Sequence, residues 1–123
     1  MPERPTSLDL GALDHLRDVA DGDEKFLSEI VDDYLADAPG QLDTIDHAVA
    51  SGAADEALRA AHTLKSTSAT FGARTLEGLA REIEGLAREG RLREIDSLSR
   101  RARQELGSVT LQLRELDLGG AEQ

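Results

Sequence analysis

The sequence predicts an all-α protein, an antiparallel four-helix bundle with one or two additional N-terminal helices. Three observations favour this fold. Apolar residues recur every three or four positions along successive segments, which is the period of a helix with one buried face. Aromatic residues, which favour β-strands, make up only 2% of the 123 residues. The segments are joined by short connections containing glycine or proline, which suit antiparallel neighbours in a bundle.

Length and cysteine content narrow the possible organisation. A chain of 123 residues suits one domain with a buried core and is too short for two. We expect residues 8–116 to form the helical bundle, residues 1–7 a flexible N-terminal tail and residues 117–123 a flexible C-terminal tail. The chain contains no cysteine, so disulfides and thiolate metal sites are excluded.

The net charge of −11 indicates which partners the protein avoids. Nucleic acid and anionic membranes would repel it, and the same charge opposes self-association, so we predict a monomer. No apolar run approaches the roughly 20 residues that span a bilayer, and the first residues lack the apolar region of a signal peptide. We therefore expect a soluble, cytoplasmic protein.

The first predicted helix ends at about Ala20, and Ser7 or Asp9 caps its N-terminus. One apolar stripe should be buried along it. The stripe consists of Leu10, Leu13, Leu16 and Val19.

Pro39 divides the next segment, because its ring removes an amide donor and crowds the preceding turn. The pattern predicts a helix from about Asp23 to Asp37, ended or kinked at Pro39, and a second helix from about Gly40 to Ala50. The predicted inward positions are Phe26, Leu27, Ile30, Val31, Tyr34, Leu35, Leu42, Ile45 and Val49. Several aspartates here form a solvated acidic face, and no metal site is predicted, since no histidine converges on them. They are Asp32, Asp33, Asp37, Asp43 and Asp46.

Residues from about 55 to 72 predict one helix with a histidine at its middle, closed at Gly72. On a helical wheel, His62 points away from a narrow apolar side. That side consists of Ala57, Ala60, Ala61, Leu64, Ser68 and Phe71. His62 therefore faces outward, with Lys65 and Ser66 one turn later on the same face.

Two further helices complete the predicted bundle, one from Thr75 to Gly90 and one from about Leu92 to Leu116. The first carries charged residues three and four positions apart, which are Glu77, Arg81, Glu84 and Arg88. One interpretation is that they stabilise their own helix by a few tenths of a kcal/mol per pair. The other is that Glu84 reaches the imidazole of His62 and orients it, while Arg88 meets phosphate. The last helix should bury Ile95, Leu98, Ala102, Leu106, Val109 and Leu113.

An exposed histidine beside a lysine and a small residue suits a nucleophile that a bulky partner must reach. Histidine side chains ordinarily titrate near pH 6.5, so near neutrality a ring nitrogen has a free lone pair that can attack phosphorus. Lys65 would neutralise charge on the transferring group. Spacing alone also permits the plainer interpretation, in which His62 is a surface residue without a function.

Residues 61–73, AHTLKSTSATFGA, closely resemble the signature of histidine-containing phosphotransfer (HPt) domains, in which H-x-L-K-G precedes small residues and a second glycine. His62, Leu64, Lys65 and Gly72 match at the family spacing, whereas Ser66 stands where the family usually has its first glycine. Upstream, GDEKFLSEIVDDYLADAP is similar to the family's first long helix, and downstream, LEGLAREIEGLAREG is similar to the helix after the histidine. The resemblance covers roughly residues 22–105.

The resemblance implies a phosphocarrier of a two-component phosphorelay. A receiver domain of a response regulator or hybrid histidine kinase, carrying an aspartyl phosphate, would dock over His62, and a second receiver would remove the phosphoryl group. Mg²⁺ would belong to the receiver, so no cofactor is expected here. The chain contains no glycine-rich phosphate loop, so we expect no ATP site of its own and no kinase activity.

The same resemblance suggests roles for the residues around His62. Lys65 would offset phosphoryl charge, and Gly72 would permit close packing. Ser66 would add a hydroxymethyl group beside the histidine. The docking prediction rests on the helical wheel and not on the resemblance. Because Leu58, Arg59 and Ala69 surround His62 on the wheel, we expect a partner to dock on them.

Two alternatives remain open from the sequence. One is a helical adaptor that binds a partner without phosphate chemistry. The other is a phosphotransfer module excised from a larger sensor or chemotaxis kinase. The identity of the receivers and the direction of phosphoryl flow are not determined by the sequence.

Overall fold

The computed structural model describes residues 8–116, which form five α-helices, one short 3-10 helix and no strand. The predicted tails, residues 1–7 and 117–123, lie outside this described part. The α-helices are α1 (Leu10–Ala20), α2 (Glu24–Ser51), α3 (Ala54–Thr70), α4 (Arg74–Arg88) and α5 (Ile95–Leu116). The 3-10 helix, Leu92–Glu94, immediately precedes α5. The predicted all-α class is confirmed, with one additional N-terminal helix.

Helices α2 to α5 form the bundle, and each contacts the next, with α5 returning to α2. Short turns join the consecutive helices and make neighbours antiparallel. Every helix buries one stripe of aliphatic side chains in a common core. Its largest fully buried members on the four bundle helices include Leu42, Ile45, Leu64, Leu76, Ile83, Ile95, Val109 and Leu113. All six inward positions predicted for α5 are buried.

Helix α1 is tied to the turn that follows α3. Asp9 caps α1, since its Oδ1 accepts a hydrogen bond from Gly11 N at 2.9 Å. The backbone N–H of Asp9 donates to the carbonyl oxygen of Gly72 at 2.7 Å. Gly72 has a φ of +71°, and a Cβ there would lie 2.6 Å from the Asp9 carbonyl oxygen. Glycine is therefore required at position 72 both by the left-handed backbone and by the close approach of α1.

Pro39 does not divide α2, so the prediction of two separate helices is wrong. A single helix runs from Glu24 to Ser51 with Pro39 inside it. Proline removes one backbone hydrogen bond, at a cost of about 3 kcal/mol in a helix interior. Pro39 itself is exposed, and the buried stripe continues through it from Ala38 to Leu42. Packing of this stripe against the bundle offsets the local cost.

Three apolar residues predicted to face inward are exposed instead. Leu10 is 58% exposed, Val19 64% and Phe26 44%. Helix α1 packs mainly against α2 and α3, through Leu13, Leu16 and Ala20, so it buries a narrower stripe than the sequence suggests. Phe26 lies near the N-terminus of α2, next to Leu27, which is the first buried residue of that helix.

A buried polar pair sets the packing of α2 on α3. Tyr34 Oη and Ser68 Oγ are 2.8 Å apart and share a hydrogen bond, and Tyr34 stacks on Phe71 with ring centroids 4.6 Å apart. Ser68 is fully buried. The pair explains why a serine occupies the inner face of α3, because a buried tyrosine hydroxyl needs a partner.

The stability of the bundle should depend on pH through Tyr34. Burial raises the pKa of Tyr34 from 10.0 to about 12, although the hydrogen bond with Ser68 opposes the shift. The folded state holds this proton more tightly than the unfolded chain. The free energy of unfolding should therefore fall by up to about 3 kcal/mol as the pH rises from about 10 to about 12.

Urea unfolding at a series of alkaline pH values measures this dependence, with Tyr34→Phe as the comparison. Because Tyr34 is the single tyrosine of the chain, the absorbance of tyrosinate reports its ionisation directly. In Tyr34→Phe, the free energy of unfolding should not show the part of its fall with pH that comes from tyrosine ionisation. An equally steep fall in both proteins would contradict the prediction.

Candidate functional site

His62 lies near the middle of α3 with 60% of its side chain exposed. The opposite face of α3 is buried and consists of Ala57, Ala60, Ala61, Leu64 and Ser68. Alanine favours the helical backbone, and these small side chains let α3 pack closely on its neighbours. The outward position predicted for His62 follows from this burial.

Glu84 of α4 is the residue that anchors the imidazole. Its side chain is only 7% exposed, and its Oε2 lies 2.9 Å from Nδ1 of His62. Its other oxygen, Oε1, accepts a hydrogen bond from Nζ of Lys65 at 2.6 Å. Nη2 of Arg88 donates to Oε2 at 3.4 Å. One buried carboxylate thus connects His62 and Lys65 on α3 with Arg88 on α4.

The charge of Glu84 determines which nitrogen of His62 carries the proton. The hydrogen bond from Lys65 lowers the pKa of Glu84, burial opposes this shift, and the hydrogen bond with His62 adds to it. Glu84 is therefore ionised at neutral pH and can only accept hydrogen bonds. Nδ1 of the neutral ring must then be the donor, which leaves the lone pair on Nε2. The arrangement presents a nucleophilic nitrogen at the exposed side of the ring.

The charged residues of α4 play two different roles, and each role matches one of the two interpretations of the sequence. Glu77 accepts hydrogen bonds from Arg74 and Arg81 on its own helix, each at 3.1 Å. Glu84, two turns later, bonds across to α3 as well as to Arg88. Helix stabilisation thus describes Glu77, whereas Glu84 reaches the imidazole.

The other predicted site residues divide into two groups. Ser66 and Arg59 are exposed on the face of α3 that carries His62, and Leu58 and Ala69 are half-buried beside it. Gly72 is buried ten positions after His62, beneath α1, about 15 Å along the chain if measured as helix. The structure therefore places Gly72 apart from the imidazole, where it serves packing.

The groove between α2 and α3 was not predicted from the sequence. Gln41 and Thr63 border two adjoining cavities of about 280 and about 210 Å³ along this groove. The larger cavity also contacts Asp37, Thr67 and Thr70. The signal that could have revealed the groove is the row of threonines at helical spacing on one flank of α3.

Other chemistries find no support in the described part of the chain. Among residues 8–116, no three histidine, aspartate or glutamate side chains converge into a group that could hold a metal ion. Asp43 and Asp46 both accept hydrogen bonds from Arg103 at 2.8 Å, so part of the predicted acidic face joins α2 to α5. His15 and His47 are exposed on other helices. Over the same residues, no helix combines the length and apolarity needed to cross a membrane.

Comparisons with known proteins identify the fold and the family of the chain. No curated protein sequence matches the chain significantly. The crystal structure of histidine-containing phosphotransfer protein B from Pseudomonas aeruginosa is similar to this chain in fold, with a TM-score of 0.84 and 24% sequence identity, over 93% of this chain and 96% of that one. The family model of the Hpt domain matches residues 29–116, which include every residue around His62 described above. The chain therefore belongs to the Hpt domain family, whose members carry a phosphoryl group on histidine in phosphorelays.

Proposed function

We propose that this protein is a phosphocarrier between two receiver domains. His62 accepts the phosphoryl group from the aspartyl phosphate of one receiver and passes it to the aspartate of another. The observation that carries the proposal is the hydrogen bond between Nδ1 of His62 and the buried carboxylate of Glu84, which leaves Nε2 exposed as the nucleophile.

The chemical step requires no group beyond the two proteins and the receiver's own Mg²⁺. The lone pair of Nε2 forms a bond to phosphorus while the bond from phosphorus to the receiver's aspartate oxygen breaks, and the aspartate leaves as a carboxylate. Positive charge develops on the imidazole, whose Nδ1–H faces the negative charge of Glu84. A carboxylate in this position stabilises the charged ring without moving a proton. Transfer to the second receiver reverses the step.

Lys65 supports this chemistry from one turn away. Its ammonium lies 2.6 Å from Oε1 of Glu84 and keeps a positive charge close to His62. We propose that it holds Glu84 in place and lowers the electrostatic cost of bringing a phosphoryl group to this face. The exposed Ser66 replaces the usual glycine of the family and adds a hydroxyl at the rim of the approach.

We place the receiver's docking surface on the exposed face of α3. Leu58 and Ala69 offer half-buried apolar contacts on either side of His62 along the helix. Arg59 adds an exposed positive charge, which suits the acidic phosphorylation site of a receiver. The groove between α2 and α3 continues this surface and offers room for side chains of the partner.

Incubation with a phosphorylated receiver tests the proposed function. The chain should acquire a label that is labile in acid and stable in base, as expected for phosphohistidine, and should lose it to a second, unphosphorylated receiver. Failure to acquire label from a panel of phosphorylated receivers would contradict the proposal.

Aspartate in place of Ala69 should slow labelling by a receiver about tenfold or more, because it buries a charge against the partner. The matched control is Ala36→Asp, at an exposed site on α2 that borders neither cavity. Ala69 is the cleaner site for this test, since Leu58 also packs against the core. The test compares the labelling rates of the two variants with one receiver at equal protein concentrations. Equal rates for both variants would reject this docking surface.

A further inference from the structure

The positive charges near His62 differ in what they contact. Lys65 and Arg88 both bond to Glu84. Arg59 is exposed and, among residues 8–116, forms no ion pair with any carboxylate. Glu56 lies one turn before Arg59 and borders the same cavity, yet the two are not paired. Arg59 is thus the cation near His62 whose hydrogen-bond donors remain available.

The same cations also lie on different sides of the histidine. Lys65 reaches across to Glu84 on α4. Arg59 borders the cavity shared with Gln41 and Thr44, which belong to α2. Position 59 therefore lies on the α2 side of His62, and position 65 lies on the α4 side, as their spacing of three residues before and after the histidine requires.

The orientation of the ring separates the two sides chemically. Because Nδ1 points to Glu84 on α4, Nε2 is on the side of the ring that faces away from α4. A side chain on a helix also leans toward the turn that precedes it, and Arg59 lies on that turn. A phosphoryl group bonded to Nε2 is therefore directed away from Lys65 and Arg88 and toward the flank that carries Arg59.

We propose that Arg59 binds the phosphoryl group carried on Nε2 of His62, while Lys65 and Arg88 hold the orienting carboxylate of Glu84. This inference rests on the proposed phosphocarrier function and assigns the phosphoryl contact within it. The planar guanidinium offers paired N–H donors that match two phosphoryl oxygens. Arg59 is one turn of α3 from His62, so its long side chain reaches the group without any change in the backbone.

Labelling with phosphoramidate, a small anionic phosphodonor, tests the inference without a receiver. Arg59→Ala should slow the labelling of His62 about fivefold, the factor for one unit charge about 4 Å from another in water. The pKa of the bound phosphoryl group, followed by ³¹P NMR, should rise by about 0.7 units, because a nearby cation favours the more highly charged form. Arg59→Lys should restore part of both effects.

The matched control is Arg101→Ala, at another exposed arginine, on α5, which does not neighbour α3 in the bundle. Arg101→Ala should match the wild-type protein in both its labelling rate and its phosphoryl pKa. Lys65→Ala should also change the phosphoryl pKa less than Arg59→Ala does, when both are compared with the wild-type protein.

Three results would overturn the inference while leaving the phosphocarrier function intact. The first is unchanged labelling and an unchanged phosphoryl pKa in Arg59→Ala. The second is a larger pKa shift in Lys65→Ala than in Arg59→Ala. The third is an effect of Arg59→Ala on transfer from a receiver with no effect on labelling by phosphoramidate, which would make Arg59 a docking contact that does not bind the phosphoryl group. Absence of label on the unchanged protein, with phosphoramidate and with phosphorylated receivers, would instead contradict the phosphocarrier function itself.

Discussion

Glutamine in place of His62 is expected to abolish phosphoryl transfer to this protein. The amide of glutamine has no nucleophilic lone pair on nitrogen, whereas its N–H can still donate to Glu84. Because 60% of the His62 side chain is exposed, the free energy of unfolding should change by less than about 0.5 kcal/mol. The loss of label would therefore report chemistry and not unfolding.

The chain supplies its own controls for this experiment. His15 and His47 are exposed histidines on α1 and α2, and His15→Gln and His47→Gln should be labelled by a phosphorylated receiver at the unchanged rate. Label that persists in His62→Gln would place the acceptor elsewhere. A variant that lost the label yet kept every effect of the protein on its partner would favour the helical adaptor, since that function needs binding alone.

Replacing Glu84 with glutamine should slow phosphoryl transfer to His62 by about 10- to 100-fold, by analogy with metal-binding histidines, for which losing the hydrogen-bond partner of the other ring nitrogen has an effect of this size. The amide keeps the shape of the side chain but removes the negative charge that faces Nδ1 at 2.9 Å. A neutral amide can also present its N–H₂ to Nδ1, which would place the ring proton on Nε2 and block the nucleophile. Lys65 would lose the anion that now binds its ammonium.

Glu77→Gln is the matched control, because Glu77 lies on α4 and pairs with Arg74 and Arg81 without contacting His62. Initial rates of labelling by one phosphorylated receiver separate the two variants. Equal rates for Glu84→Gln and Glu77→Gln would reduce Glu84 to a structural residue. Since the pKa of Glu84 lies below its ordinary value of 4.5, its contribution to stability is present above that pH and is lost only as the pH falls further. The rate difference should therefore persist across neutral pH.

The sequence predicted the elements with strong periodicity and clear turns. The helix bearing His62 was expected over about residues 55–72 and runs from Ala54 to Thr70. Every residue predicted to face inward on α5 is buried. These predictions succeed because a helix with one continuous apolar stripe and a short turn at each end has only one way to bury that stripe.

The predictions from the sequence were wrong where a local rule competes with packing along a whole helix. Pro39 disfavours a helix by itself, but the stripe on either side of it buries enough apolar surface to keep α2 continuous. Leu10 and Val19 fit a helical period, but each is more than half exposed in the described part of the chain, because α1 lies at the edge of the bundle. Burial depends on which neighbours are present, and periodicity does not specify them.

The sequence by itself determined that His62 is exposed on a helix with Lys65 on the same face, because these relations follow from the geometry of one helix. Only the tertiary structure decided which nitrogen of His62 is free. That choice depends on Glu84, which is 22 positions away in the chain and is brought to Nδ1 by the packing of α4 on α3. Contacts within a helix are set by its 3.6-residue turn, whereas the meeting of two helices depends on how all four bury their apolar faces together.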